Sequence, residues 1–293
     1  MLKAQAKRFF ELVSYGKQKE AEDFILQTDP ADRAALICRP AEAKDYFGRP
    51  FRGLSGLQYT FWALDTPMRN MMMPYLSKEE ISAQLRAYAA IPAEALPYGR
   101  HYDFGVLIAA LQKYVDAHEL PHQPWTQAER TAHAVARLAA WFNVSGAQRY
   151  STIEVINRYA HPSKVFNAQA VLSDLGELQA SERSDDFHPS PRDVKKSVFS
   201  LHERLDELGK GFGLVSLADR LVGYAQVRGT GDLPSVRNVQ ENLEGLIALA
   251  NRRIYDYNDL VTEYAPELPL LKAAKPQADE KSEGPPAGGL DFA

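Results

Sequence analysis

Apolar residues recur at helical spacing along most of the chain, and alternation of the kind that marks strands is scarce. Between Lys7 and about Gln27 the stripe is Phe10, Val13, Phe24 and Leu26, interrupted at Gly16. Residues 78–90 follow Ser77, a helix N-cap, with Glu80 three positions on as its capping-box partner. Residues 104–117 carry Leu107, Ala110, Leu111, Tyr114 and Val115 on one face. A helix over 126–142 starts at Thr126 with Glu129 and ends on Leu138, Trp141 and Phe142; one over 151–160 starts at Ser151 with Glu154 and carries Val155, Ile156 and Tyr159. Residues 193–209 carry Val194, Val198, Leu201, Leu205 and Leu208. GKGFG (209–213) then breaks the pattern, 214–227 is read as a resumed helix, and RGTGDLP (228–234) as a turn. The longest amphipathic run is 235–264, through Val239, Leu243, Leu246, Ile247, Ala250, Ile254, Tyr257, Val261 and Tyr264.

The pattern predicts an all-α protein in four parts. Residues 1–162 form a helical stack, 163–192 a connector with a polar, proline-bearing stretch at 179–192, 193–271 a helical bundle or hairpin, and 272–293 a disordered tail rich in Pro, Gly, Lys, Glu and Ser.

Composition narrows the function classes. The 293 residues are 45% hydrophobic and 25% charged, ordinary for a soluble globular chain. A net charge of −4 gives no global field toward nucleic acid or an anionic membrane. A single cysteine, Cys38, excludes an intramolecular disulfide and a zinc site of four cysteines. The first residues lack an apolar core of secretory length and no window has the length of a membrane span, so the expected location is a reducing cytoplasm or, by a route without a cleaved signal, beyond it.

Candidate chemistry is thin. HELPH (118–122) matches a zinc-protease pattern, which needs both histidines on one helical face. Pro121 lies inside the motif and Pro124 follows, so it is read as a helix end and loop. GKGFG lacks phosphate-loop spacing. Cys38 has only Arg39 and Pro40 beside it, and a buried apolar role is expected. No cofactor and no metal are expected.

The stretch 51–76, FRGLSGLQYTFWALDTPMRNMMMPYL, stands out by its aromatics and triple methionine. It resembles an ankyrin repeat. Ser55, Gly56, Leu57, Gln58 and Thr60 fall on the T-P-L-H-x-A positions, Leu64-Asp65 on the inter-helix turn, and Met68 to Met73 on the second helix. Asp45–Gly48 resembles the opening D-x-x-G turn, with RPFRGL (49–54) as a loop extension. Weaker copies lie at FELVSYGKQKEAEDFIL and from HYDFGVLIAALQKYV (101–115).

GLSGLQYTFWALDTPM, HYDFGVLIAALQKYVD and SGAQRYSTIEVINRYAHPSKVF are also similar to ankyrin-like proteins of Legionella- and Coxiella-type intracellular bacteria, many delivered into the host cell by a type IV secretion system. The resemblance implies a divergent ankyrin-like stack that binds a protein, without catalysis, the partner being a host protein. In this register the methionines belong to the core. Loop tip and first helix would present Tyr46, Arg49, Phe51, Arg52, Gln58 and Tyr59 to the partner, whereas Phe61 and Trp62 are expected to pack inward. The tail ADEKSEGPPAGGLDFA would suit a translocation signal. The competing reading is an enzyme with its site in the C-terminal half or between the halves.

Overall fold

A computed structural model describes residues 2–118, 126–148, 151–159, 166–173, 212–216, 222–226 and 235–274. Among them are eleven α-helices and two antiparallel two-stranded sheets, so the fold is mostly helical as the periodicity requires.

Helices α1 (Leu2–Ser14) and α2 (Gln18–Gln27) form a hairpin turned at Gly16. Ile25 rather than Leu26 faces inward, and Leu26 is exposed. A 3-10 turn (Pro30–Asp32) leads into α3 (Arg33–Cys38). Strands β1 (Ala41–Lys44) and β2 (Pro50–Leu54) then pair as a hairpin. This corrects the loop assigned to 49–54: RPFRGL is mostly strand. Its register slips where Ala41 pairs with Leu54 and Glu42 with Arg52, so Gly53 is the extra residue of a bulge. Gly53 has φ +75°, a left-handed conformation that glycine adopts at least cost.

Helices α4 (Gly56–Ala63) and α5 (Thr66–Met72) follow, separated by Leu64 in a left-handed conformation. Asp65 caps α5 by accepting from the Met68 N–H at 3.1 Å, and Pro67 sits in its first turn, where a missing N–H costs little. Met68 and Met72 are fully buried, while Met71 and Met73 pack against the core from partly buried positions. Helix α1 approaches α4 so closely that a Cβ at Gly56 would lie 2.8 Å from the Phe9 ring.

Helix α6 (Lys78–Ala89) carries the Ser77–Glu80 capping box, and α7 (Gly105–Asp116) and α8 (Gln127–Gln148) pack on each other. Thr126 and Glu129 cap α8 as expected, but the helix runs to Gln148. Helices α9 (Ile153–Tyr159) and α10 (Ala168–Ser173) are short. Thr152 rather than Ser151 caps α9, its hydroxyl accepting from the Val155 N–H at 3.4 Å. The Glu154 carboxylate is buried against Arg253.

Residues Phe212–Ser216 (β3) and Val222–Gln226 (β4) pair as antiparallel strands, so the helix expected over 214–227 is wrong. The stripe at 193–209, the polar stretch 179–192, most of HELPH and GKGFG, and the tail lie outside the described residues.

Helix α11 (Val236–Tyr264) agrees with the longest amphipathic run. It lies against α5, α6, α7 and α10. Ser82 donates to the Tyr264 carbonyl at 2.5 Å and Arg69 to the Asp256 carbonyl at 3.2 Å. Its buried face joins the N-terminal helices in one hydrophobic core.

A buried ion pair fastens α11 to α9. Arg253 and Glu154 are each 1% exposed, and Arg253 donates to Glu154 Oε1 through Nε at 3.1 Å and Nη2 at 2.5 Å. Glu154 also lies 3.4 Å from Arg158 and Arg253 3.2 Å from Asp256, so removing Arg253 takes from buried Glu154 the shorter of these two cation contacts. Arg253→Met is expected to cost about 3 kcal/mol or more, and Glu154→Met/Arg253→Met to recover part of that loss, as read by urea denaturation.

Candidate functional site

The hairpin tip is built by Asp45. Its Oδ1 accepts from the backbone N–H groups of Phe47 (3.0 Å) and Arg49 (2.9 Å), and the Gly48 N–H closes the turn on the Asp45 carbonyl at 2.9 Å. Its Oδ2 accepts from the Arg49 guanidinium at 2.6 Å. The carboxyl is raised from its ordinary value because burial outweighs the attraction of Arg49.

Arg49 is itself buried. Its guanidinium lies 4.9 Å from the Trp62 ring centre and 5.4 Å from that of Phe47, and donates to the Ser151 carbonyl at 3.3 Å. Phe51 packs edge-on to Trp62 (4.8 Å) and Tyr59 (5.1 Å), and Phe10 edge-on to Tyr59 (5.2 Å). Phe51 and Tyr59 are each 1% exposed. Gln58 completes a capping box, its side chain accepting from the Ser55 N–H while its own N–H donates to Ser55 Oγ, both at 3.1 Å.

The six residues assigned to a partner surface therefore separate. Arg49, Phe51, Gln58 and Tyr59 are buried and hold the fold, which corrects their assignment to an exposed partner surface. Tyr46 is half-buried, edge-on to Tyr15 at 5.9 Å. Arg52 is exposed. Phe61 and Trp62 are buried as expected.

Strand alternation explains the division. Ala43, Phe51 and Leu54 point to the core, and Glu42, Lys44 and Arg52 point away from it. The hairpin and α1 form a shallow groove of about 430 Å³, lined by the polar Lys7, Glu11, Tyr15, Glu42, Lys44 and Arg52 and by the apolar Ala43, Pro50 and Phe51. Glu42 faces Arg52 across the strands. Lys7, Glu11, Lys44 and Glu42 were no part of the sequence-derived set. The one signal for the last two was the alternation in AEAK, too short to mark a strand by itself.

Two groups with catalytic potential are tuned away from that use. Burial, with Glu80 adding to it, pushes the Cys38 thiol up to about 12, which leaves almost no thiolate at neutral pH. Burial lowers His101 to about 4; its Nδ1 lies 2.9 Å from the Phe61 carbonyl, and its ring packs on Tyr257 (4.7 Å) and Tyr88 (5.5 Å). As the donor to that carbonyl, Nδ1 carries the proton of a neutral ring. His118, the described end of HELPH, sits on Tyr114 with Nδ1 2.8 Å from its carbonyl. Among the described residues no group of three His, Cys, Asp or Glu could hold a metal ion, and no helix is long and apolar enough to cross a membrane.

No family model matches the chain, and no solved structure matches it. A protein of Coxiella burnetii described as uncharacterised is 28% identical over 181 residues, covering 54% of this chain and 49% of that relative. The chain thus spans about half the length of the curated relative it matches.

Arg49→Ala is expected to cost about 3–5 kcal/mol of unfolding free energy by stranding Asp45. Arg52→Ala should stay within about 0.5 kcal/mol of wild type. His101 generates a pH dependence with a definite sign. Because its folded value lies below the ordinary 6.5, the unfolded chain takes up the proton first. Stability is full above about pH 6.5 and falls as pH drops toward 4. Urea denaturation at pH 7 and at pH 4.5 should show a loss of about 2–3 kcal/mol that is missing from His101→Gln.

Proposed function

We propose that this chain is a protein-recognition module without catalysis of its own, an ankyrin-like bacterial effector that binds a host protein through the groove between α1 and the β1–β2 hairpin. The observation that carries this reading is the lining of the groove. Three cations (Lys7, Lys44, Arg52) and two carboxylates (Glu11, Glu42) flank a shallow surface, on a hairpin whose inner face is locked into the core. Mixed charges on a rigid, open surface suit an extended polar segment of another protein, because complementary charges set register and reject wrong partners. Small-molecule sites are enclosed by contrast. Two further facts support the reading. Helices α4 and α5 make a short helix–turn–helix where the ankyrin register expects one, and the relative from Coxiella burnetii agrees with the bacterial class in the resemblance.

The test is affinity capture from host-cell lysate with full-length wild type and the charge-reversed Lys44→Glu/Arg52→Glu. A partner recovered by wild type should fall at least about tenfold with the double variant, at unchanged melting temperature, as expected when rim charges are reversed. Equal recovery by both proteins would remove the groove as the contact.

A further inference from the structure

Beyond α11, residues 265–274 carry no helix or strand, yet they stay on the surface of the fold. The Leu268 N–H donates to the Ala265 carbonyl at 2.9 Å, which turns the chain, and Leu271 then lies back along the helix beside Asn258. Asn258 grips the Leu271 backbone at both of its polar groups. Its Nδ2 donates to the Leu271 carbonyl at 2.9 Å, and its Oδ1 accepts from the Leu271 N–H at 2.8 Å. These are the two bonds that a residue exchanges with its partner in an antiparallel ladder, so the amide reads an extended backbone and no particular side chain.

Side chains supply the rest of the fit. Leu268 and Leu271 are partly buried against the core, whereas Leu270 is 56% exposed. A spacing of three returns to the same side of an extended proline-type chain, and Pro266 and Pro269 bias this stretch toward one. Glu267 reaches Arg86 of α6 at 2.6 Å. The seat made by α6 and α11 therefore takes a carboxylate, an aliphatic side chain directly after it, a second one three residues further, and the backbone of that last residue.

The strap is held lightly. Arg86 and Glu267 are 58% and 50% exposed, and ion pairs so open to water contribute little. Both leucines are only partly covered. The seat stands without the strap, because Ser82 of α6 donates to the Tyr264 carbonyl of α11 at 2.5 Å and both helices bury residues in the common core. A segment with so few contacts opens locally while the rest stays folded.

We propose that the α6–α11 face is a peptide-binding seat, filled in this chain by its own residues 267–271 and open, once that strap lifts, to an extended segment of a second protein. That segment carries the same chemistry: an acidic residue, a large aliphatic one beside it, another three residues on, and no proline at the last position. The inference does not depend on the groove at the hairpin. The strap is a competitor in cis, and its tether gives it a high effective concentration, so an external peptide binds weakly until the strap is loosened.

Fluorescence anisotropy of the labelled peptide APELPLLKAA, residues 265–274, tests this on the full chain. Leu268→Ser/Leu271→Ser loosens the strap and leaves α6 and α11 unaltered. This variant should bind the peptide at least about tenfold more tightly than wild type does. Adding Asn258→Ala should weaken that binding at least about tenfold, because both backbone bonds go. Equal binding by wild type and the loosened chain, absent binding to both, or affinity that survives Asn258→Ala would overturn the proposal. Wild type that dimerises on concentration, while the serine variant does not, would give the seat to the strap of a second copy and refute a foreign partner. A readout on the unaltered chain avoids the leucine substitutions. The peptide with a photo-crosslinking residue in place of Leu270 should mark α6 or α11 of wild type as its concentration rises; marks elsewhere, or none, refute the seat.

Discussion

A guanidinium removed from water dictates the arrangement of the N-terminal half. Arg49 is 6% exposed, and each of its neighbours answers a cost of placing it there. Asp45 supplies the opposite charge, the Ser151 carbonyl accepts a further N–H, and Trp62 and Phe47 present ring faces. Lysine could not replace it: a point charge with three donors cannot serve a carboxylate and a carbonyl in fixed directions while also sitting over the Trp62 ring. The requirement extends outward from there. Asp45 must shape the turn and pair with Arg49 together, which fixes where β1 ends and β2 begins. Trp62 must be held so that its ring faces Arg49, and its indole N–H donates to the carbonyls of Pro97 and Gly99. The start of the 151–159 segment must come close enough to offer Ser151.

That last demand links the two halves of the molecule. Tyr102 donates to Ser151 Oγ at 3.2 Å, and Arg49 takes the Ser151 carbonyl. Three residues on, Glu154 takes Arg253 of α11. One short stretch therefore binds a buried cation from the hairpin and another from the long C-terminal helix. Buried pairs contribute little net stability over apolar replacements, but they penalise any arrangement that leaves one charge alone. One ion pair to α11 and one charge-assisted hydrogen bond to the hairpin, both made by this stretch, restrict how hairpin, α9 and α11 can come together more tightly than apolar contacts do.

The helices were legible because their signals are local and redundant. Ser77–Glu80 and Thr126–Glu129 announced two N-termini, and 235–264 holds its period over many turns. The strands were not. AEAK has poor β propensity, β2 opens with proline and contains glycine, and their pairing is imposed by Asp45 and by Phe51 packing on Tyr59 and Trp62. At 214–227 a run of five residues fits either period, which is where periodicity alone fails. The site residues failed for a related reason. Arginine and aromatics mark binding hot spots, but they also build polar nodes inside a core, and residue type does not say which. Gln58 read as surface because the ankyrin register puts it on a first helix; its role as a capping-box partner was written in Ser55 three positions before it.

The alternation of the strands separates the two tasks of the hairpin. A lone two-stranded hairpin is marginal in water, so this one depends on its inner residues for existence. Ala43, Phe51 and Leu54 face the core, and Arg49 anchors the tip, so changes there are paid in folding. Glu42, Lys44 and Arg52 project the other way and contribute little to stability. Their positions are nevertheless held by the register that the inner residues enforce. A surface of this kind can change its charge pattern while the scaffold beneath stays the same. It combines a backbone register fixed from the core side with outward side chains whose identity the fold does not dictate.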